Sequence, residues 1–291
     1  MMFEKILVPL DMSKMAEQVI PLAVDFARAF GSEVHLISIC EAHNGQEEET
    51  CRSYLNTEAG KLAAILGEEK IKTMLVAGSP DQQITRYAQN EKINLILMTS
   101  HGRSGVVLWP MGGTVEKVLR RTRTPLLFIR VKETQESPGS LNLFENILVP
   151  LDGSELGAIV VPLVIEIADK FNSKVTLIHV IDTDRRVHSL GRIDAVPFRE
   201  EELQSLKMRG EEYLKTQAKR FRRTAGPVRT EVRAGNVAEE IIKFARGDNT
   251  SLIALSSHGH SGFEAWILGS VTSKILHSSN KSILFAPAIA P

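Results

Sequence analysis

The sequence predicts two successive α/β domains, each built on a doubly wound parallel sheet. A strand motif that ends in an acid occurs twice, as KILVPLD and NILVPLD, and the two acids are Asp11 and Asp152. A loop rich in glycine also occurs twice, once in each half of the chain. Self-similarity must be interpreted before a fold is assigned, and here the repeat has the size of a domain.

The two copies align in two blocks. Residues 3–40 match 144–181 without a gap at an offset of 141, and eighteen of these 38 positions are identical. Residues 96–113 match 253–270 at an offset of 157, so the second copy carries 16 extra residues (157 − 141) between the blocks. These extra residues fall around 181–227. They could form a contact between chains or a lid over a site, and both alternatives stay open.

Strands and helices alternate along each copy. Ser13 suits a helix N-cap, and Pro21 within the following amphipathic segment predicts a break; Ser154 and Pro162 repeat both features. Aliphatic runs typical of buried parallel strands occur at 5–9, 34–39, 71–76, 94–98 and 126–131, and again at 146–150, 175–180, 228–233, 252–255 and 283–286. This order implies right-handed crossovers and a five-stranded sheet in each copy, with strand order 3-2-1-4-5.

The predicted domains are residues 1–132 and 143–291, joined by a polar linker at 133–142 that contains Pro and Gly.

Lys+Arg and Asp+Glu are both 35, which disfavours a general binder of nucleic acid or membrane surfaces. The sequence shows neither a secretory signal nor an uncharged run long enough to cross a bilayer. Two cysteines without metal-ligand spacing indicate a cytoplasmic protein.

The repeated motifs should meet at the carboxyl ends of strands one and four. Ligands bind outside this edge of an open parallel sheet, where the strand order reverses. Strand one leads to the acids Asp11 and Asp152, and strand four leads to the glycine loop. Backbone N–H groups of such a loop, together with the dipole of the next helix, favour phosphate. Ser270 could cap that helix or donate its hydroxyl to a phosphate.

The spacing of these motifs resembles that of the universal stress protein family, with ILVPLDxS at strand one and G-x2-G-x9-G-[ST] after strand four. The resemblance covers the chain apart from the linker and implies an adenine-nucleotide α-hydrolase-like fold with two domains related by a pseudo-twofold axis. It implies that adenine nucleotide (ATP, ADP or AMP, with Mg²⁺ an open alternative) binds in the crevice. The residues that would hold it are Asp152, Val180, Ser256, His258, Gly259, Gly262, Gly269, Ser270 and Val271 in the second copy, and Asp11, Ile39, Thr99, Gly102, Gly105, Gly112 and Gly113 in the first.

The sequence departs from the family pattern in two places. The first loop glycine is replaced by Thr99 in the first copy and by Ser256 in the second, whose side chains would narrow the site or supply a hydroxyl to ribose or phosphate. The last Ser/Thr position of the loop is Gly113 in the first copy, whereas Ser270 keeps it in the second. The second copy is therefore the better candidate for nucleotide binding.

The predicted function is a stress-response protein that works by binding nucleotide, without fast catalysis. The alternatives are a nucleotide-independent signalling or scaffold protein, and a slow ATPase. No nucleophile–base pair, metal cluster or lysine in a catalytic setting recurs in both copies, so no catalytic residue is assigned. Family members dimerise through their last strands, and the resemblance implies that Leu126–Val131 pairs antiparallel with Ile283–Ala286. Such pairing would cover two exposed edges. A homodimer and an unidentified protein partner remain open.

Overall fold

The computed structural model describes residues 2–40, 45–100, 112–130, 140–183, 186–189, 192–195, 198–257 and 268–288. The first half of the chain contains β1 (Lys5–Pro9), α1 (Lys14–Glu17), α2 (Ile20–Phe30), β2 (Glu33–Cys40), α3 (Gly45–Leu66), β3 (Ile71–Ala77), α4 (Pro80–Asn90), β4 (Leu95–Thr99), α5 (Gly113–Arg121) and β5 (Leu126–Ile129). The second half contains α6 (Ser140–Phe144), β6 (Asn146–Pro150), α7 (Val161–Phe171), β7 (Lys174–Asp182), β8 (Arg186–Ser189), β9 (Arg192–Ala195), α8 (Glu200–Ala218), β10 (Val228–Gly235), α9 (Val237–Gly247), β11 (Leu252–Ser256), α10 (Ser270–Ser278) and β12 (Ser282–Ala286).

Ten of the described strands form one continuous sheet with the order β10-β7-β6-β11-β12-β5-β4-β1-β2-β3. Within each half the strands are parallel and follow the predicted order 3-2-1-4-5. Helices cover both faces, so β4, β11 and β12 are buried along their whole length. The predicted α/β doubly wound fold is confirmed.

Local features of the first turn after strand one also agree with the sequence. The Ser13 hydroxyl accepts a hydrogen bond from the Ala16 N–H at 3.0 Å, which makes it the N-cap of α1. The predicted break occurs because α1 ends at Glu17 and Pro21 lies in the first turn of α2. In the second half a 3₁₀ helix, Gly157–Val160, takes the place of α1.

The two halves are joined by antiparallel pairing of β5 with β12, as predicted. Phe128 pairs with Ile283, Leu127 with Leu284, and Leu126 with Phe285. Parallel strands of one half therefore run opposite to those of the other half. The carboxyl ends of the two sets of strands lie at opposite edges of the ten-stranded sheet.

Arg130 reinforces this joint immediately after β5. Its guanidinium donates to the Leu276 carbonyl at 2.5 Å and to the Lys281 carbonyl at 3.4 Å, and its carbon Cζ lies 5.3 Å from the centroid of the Phe128 ring. Burial lowers the pKa of Arg130 to about 10, so the side chain remains a cation at neutral pH. A cation near the carbonyl end of α10 is also favoured by the helix dipole.

The hydrophobic core is shared between the halves. On one face of the sheet, Phe26 of α2 packs against Phe144 at 6.1 Å and against Phe171 at 6.2 Å, measured between ring centroids. Phe144 belongs to α6, so the last residues of the predicted linker, 140–142, are helical rather than irregular. Linker residues 133–139 lie outside the described part of the chain.

The extra residues of the second half include a β-hairpin. β8 and β9 pair antiparallel between β7 and α8, whereas only residues 41–44 separate β2 from α3 in the first half.

Within the described ranges, no helix combines the length and the apolar composition that crossing a membrane requires.

Replacement of Arg130 by Ala should destabilise the fold by about 2 kcal/mol, because two carbonyl groups lose a charged donor. Arg130→Lys should recover only part of this loss, since an ammonium group lacks the planar fork of donors. Urea unfolding of the three proteins measures the effect. Equal midpoints for Arg130→Ala and the unmodified protein would show that strand pairing alone holds the halves together.

Gly226 offers a second test of packing, at the turn that leads into β10. A Cβ at this position would lie 1.9 Å from the Ser173 carbonyl oxygen, a backbone atom that cannot rotate away. We expect Gly226→Ala to cost about 3 kcal/mol. Gly247→Ala is the matched control, because a Cβ there meets nothing within 4 Å. Similar thermal midpoints for the two variants would contradict the prediction.

Candidate functional site

Each half of the molecule has a cleft at the carboxyl ends of its parallel strands. The first cleft has a volume of about 410 Å³ and the second a volume of about 830 Å³. Both lie between the strand-one acid and the N-terminus of the helix that follows strand four. This is the position at which ligands bind in open α/β sheets.

The structure brings together the predicted site residues that it describes. The second cleft is lined by Asp152, Val180, Ser256, Gly269, Ser270 and Val271. The first is lined by Asp11, Ile39, Thr99, Gly112 and Gly113. The remaining predicted residues, Gly102, Gly105, His258, Gly259 and Gly262, lie outside the described residues.

The strand-one acids organise a tight turn. The Asp152 Oδ1 atom accepts hydrogen bonds from the Ser154 N–H at 3.0 Å and from the Ser154 hydroxyl at 2.7 Å. Asp11 Oδ1 accepts from the Ser13 N–H at 3.0 Å. The residue between acid and serine is left-handed in both halves, with φ of 94° at Gly153 and 65° at Met12. Both acids therefore stabilise the turn that follows strand one, and these bonds fix where each carboxylate lies.

A chain of hydrogen bonds connects strand four with the acid of the second cleft. The Ser256 hydroxyl donates to the Gly157 carbonyl at 2.6 Å, and the Gly157 N–H donates to the Ser154 hydroxyl at 2.8 Å. The Ser154 hydroxyl in turn bonds to Asp152. The single hydrogen of the Ser256 hydroxyl is therefore donated within the protein, so this hydroxyl could meet a ligand only as an acceptor, and its role toward a ligand stays a prediction.

The helix that follows the glycine loop differs between the halves. α10 begins at Ser270, and its N-cap is Gly269, which makes no side-chain capping bond. Ser270 therefore does not cap the helix, in contrast to one of the two predicted roles. The first turn of α10 contains no acidic residue, whereas the first turn of α5 contains Glu116. The positive end of the helix dipole is thus less compensated in the second cleft.

A tyrosine of the long helix lies in the field of nearby carboxylates, the strand-one acid among them, in both halves, and sequence reasoning missed it. Tyr213 of α8 lines the second cleft. Burial, followed by the charge of Asp152, raises the pKa of the Tyr213 hydroxyl. Burial and nearby carboxylates, Asp11 among them, also raise the pKa of Tyr54 in α3. The signal was present in the chain as YLNTEA and YLKTQA, which begin at 54 and 213.

The walls of the two clefts also differ between strand two and the long helix. In the second cleft His179 donates from Nδ1 to the Leu151 carbonyl at 2.8 Å, and its Cδ2 faces Gly210, where a Cβ would lie only 2.9 Å away. The corresponding positions in the first cleft are Ser38 and Cys51. The second cleft therefore has a large side chain, His179, beside Gly210, where the first cleft has two small side chains. Among the described residues no three His, Cys, Asp or Glu side chains converge as a metal site.

Gly157→Ala should displace the Asp152 carboxylate, because the new Cβ would lie 2.3 Å from Asp152 Oδ1. The carboxylate would then lie away from its present position in the cleft wall. We therefore expect the affinity of the second cleft for its ligand to fall by about tenfold, equivalent to 1.4 kcal/mol. Isothermal titration with adenine nucleotide measures this change. Gly60→Ala in α3 is the control, since nothing lies within 4 Å of its Cβ position. Equal affinities for both variants would contradict the role of Gly157.

Comparisons with known proteins agree with this architecture. The family model described as "Universal stress protein family" matches residues 2–130 and 143–287. Universal stress protein MJ0531 of Methanocaldococcus jannaschii is 30% identical over 143 residues, which cover 49% of this chain and 82% of that protein. Universal stress protein MJ0577 of the same organism is 29% identical over 159 residues, which cover 46% and 98% respectively.

Solved structures show the same fold over nearly the whole chain. A universal stress protein from Archaeoglobus fulgidus has a TM-score of 0.68 at 18% identity and covers 99% of both chains. The protein PA1789 from Pseudomonas aeruginosa has a TM-score of 0.72 at 15% identity and covers 97% of this chain and 92% of its own. Together with the two matches of the family model, these likenesses show that the chain belongs to the universal stress protein family and contains two copies of its domain.

Proposed function

We propose that the protein binds adenine nucleotide in the second cleft and acts in the stress response through binding rather than fast turnover. The observation that carries this proposal is the convergence of Asp152 and the N-terminus of α10 on one cleft. A carboxylate can accept hydrogen bonds from ribose hydroxyls, and a helix N-terminus binds phosphate. A ligand with a sugar at one end and phosphate at the other could therefore engage both groups of this cleft.

The phosphate end of the proposed site is the first turn of α10. Gly269, Ser270 and Val271 line the cleft there. The first N–H groups of a helix have no partner within the helix and point outward from its N-terminus. The absence of an acid from this turn avoids repulsion of an anion, whereas the corresponding turn of α5 contains Glu116, whose charge an ion pair with Arg120 at 2.9 Å offsets only in part. We therefore place the nucleotide in the second cleft in preference to the first.

The base end of the proposed site lies between β7 and α9. Val180 and Ile181 from the strand, and Val237 and Ile241 from the helix, form an apolar wall. Ligand pockets of about 300–1,000 Å³ with mainly apolar walls and few polar groups are typical for compact organic ligands. The cleft volume of about 830 Å³ falls in this range. The choice of adenine over another base rests on the family resemblance of the motifs.

Two further properties belong to this proposal. We place the protein in the cytoplasm, because its two cysteines are free thiols, as expected in a reducing compartment. A homodimer, a protein partner and a Mg²⁺ ion beside the phosphates are predictions from the sequence that await solution measurements.

A single substitution can separate ligand binding from stability. Gly269→Asp places an acid at the N-cap of α10, where Asp is a favourable capping residue for the helix. A side chain fits against the described residues, among which the atom nearest to a Cβ at 269 is the Ser257 carbonyl oxygen at 3.4 Å. The added charge should repel phosphate and weaken ATP binding by about tenfold or more, while the thermal midpoint stays equal or rises.

The controls are Gly269→Asn, which caps without charge, and Gly112→Asp, the equivalent change in the first domain. We expect one nucleotide per chain in calorimetry, with binding unaffected by Gly112→Asp. Equal ATP affinity in all three variants would remove the phosphate site from α10. Unmodified protein that ignores ATP, ADP and AMP at millimolar concentration would favour the scaffold alternative, and ATP turnover above background would favour the ATPase.

A further inference from the structure

The two cysteines of the chain, which are 11 positions apart in the sequence, meet in the wall of the first cleft. Cys40 ends β2 and Cys51 lies in α3, and both are free and buried. The Cys51 thiol is among the groups that raise the pKa of Cys40, which places the two thiols close together. Both also line the cleft next to Asp11 and Thr99. The wall of this cleft thus contains a pair of thiols rather than an isolated one.

This dithiol is a feature of the first domain alone. At the offset of 141, Ile181 occupies the position of Cys40 in the second domain. At the offset of 159 given by the YLNTEA and YLKTQA motifs, Gly210 occupies the position of Cys51. Both replacements line the second cleft. The two clefts therefore differ in thiol content as well as in volume.

We propose that Cys40 and Cys51 form an oxidation site, at which a small hydroperoxide converts the two thiols to an intramolecular disulfide. This inference goes beyond nucleotide binding and does not depend on it. It gives the first domain a function of its own, as a site that reacts with oxidant, while the second domain carries the proposed nucleotide site.

The surroundings of the dithiol select the class of oxidant. Both side chains are almost fully buried, with exposures of 5% for Cys40 and 3% for Cys51, and the cleft is the route to them. A small oxidant reaches side chains buried in this way more readily than a bulky disulfide does. Glu47 also lines this cleft, and its negative charge disfavours an anionic oxidant. Hydrogen peroxide is small and neutral and meets both requirements.

The environment of Cys40 disfavours its thiol as the first nucleophile. Burial, together with Cys51 and the charges of Glu47 and Glu48, raises the pKa of Cys40 to about 12. The thiolate is the nucleophile in reactions of cysteine, so a thiol held in its protonated form is a poor first attacker. We therefore expect Cys51 to attack peroxide and Cys40 to complete the disulfide, and single-cysteine variants decide this order.

The chemistry balances without a further reactant. The sulfur of Cys51 attacks one peroxide oxygen, the O–O bond breaks, and a sulfenic acid and one water form. The Cys40 sulfur then displaces the hydroxyl group, the S–S bond forms, and its proton leaves with that hydroxyl as a second water. Two thiols lose two electrons and two protons, and one peroxide is reduced to two waters.

The test uses the full chain, first reduced and then exposed to hydrogen peroxide. Remaining thiols are alkylated with N-ethylmaleimide under denaturing conditions, and the intact mass is measured. We expect a product that has lost two hydrogens and carries no maleimide, with a peptide that links Cys40 to Cys51. The oxidised chain should remain a monomer on a non-reducing gel and unfold at a higher urea concentration, because the crosslink restricts the unfolded state.

Two variants check the assignment of steps. In Cys40→Ala, peroxide should leave a sulfenic acid on Cys51 that dimedone traps. In Cys51→Ala, Cys40 should stay reduced under the same conditions and take up maleimide. The unmodified protein supplies the decisive reading even if a variant fails to fold. Maleimide on both thiols, sulfinic or sulfonic acids on both, or a disulfide between two chains would overturn the proposal.

The second cleft serves as an internal reference for this experiment. Oxidised protein should bind nucleotide in the second cleft as reduced protein does, because that cleft contains neither cysteine. A disulfide without any nucleotide binding would contradict the proposed nucleotide function and leave the oxidation site standing. Nucleotide binding with unreactive thiols would do the reverse.

Discussion

The pairing of β5 with β12 is the contact on which the rest of the molecule depends. It converts two five-stranded sheets into one sheet of ten described strands, and it leaves only β3 and β10 as edges. Because the pairing is antiparallel, the parallel strands of the two halves run in opposite directions. The two clefts, which lie at the carboxyl ends of these strands, are therefore on opposite sides of the sheet along the strand direction. Arg130 and the phenylalanines around Phe26 add further contacts between the two halves. The domains share one core and have separate clefts.

The elements of the fold could be predicted from the sequence because their signals are local. The turn at Ser13 and the break at Pro21 depend on residues within one or two helical turns. Strand runs and the duplication itself require only pattern matching along the chain. The helix Ser140–Phe144 was missed because polar neighbours conceal two apolar residues, Leu143 and Phe144, that the core buries.

The contacts of the site were less accessible, because their partners are far apart in the chain. The sequence indicated which residues meet at the cleft, but it could not tell whether Ser256 faces a ligand or the protein. Its bond to the Gly157 carbonyl joins residues 99 positions apart. The approach of Tyr213 to Asp152 is similar, since it depends on how α8 lies across the sheet. Spacing gives the location of a site, and packing decides which of its atoms are already engaged.

Covalent fusion of the two copies has a consequence for how the molecule can vary. In a symmetric homodimer the same sequence builds both halves, so a change in one cleft appears in the other. Here the halves are encoded separately, and their junction holds at any dilution because the partners are tethered. Cys51 can therefore stand where its counterpart is Gly210, and Glu116 can remain in one first turn while the other has no acid. Duplication followed by fusion allows one scaffold to present two different chemistries from a single chain.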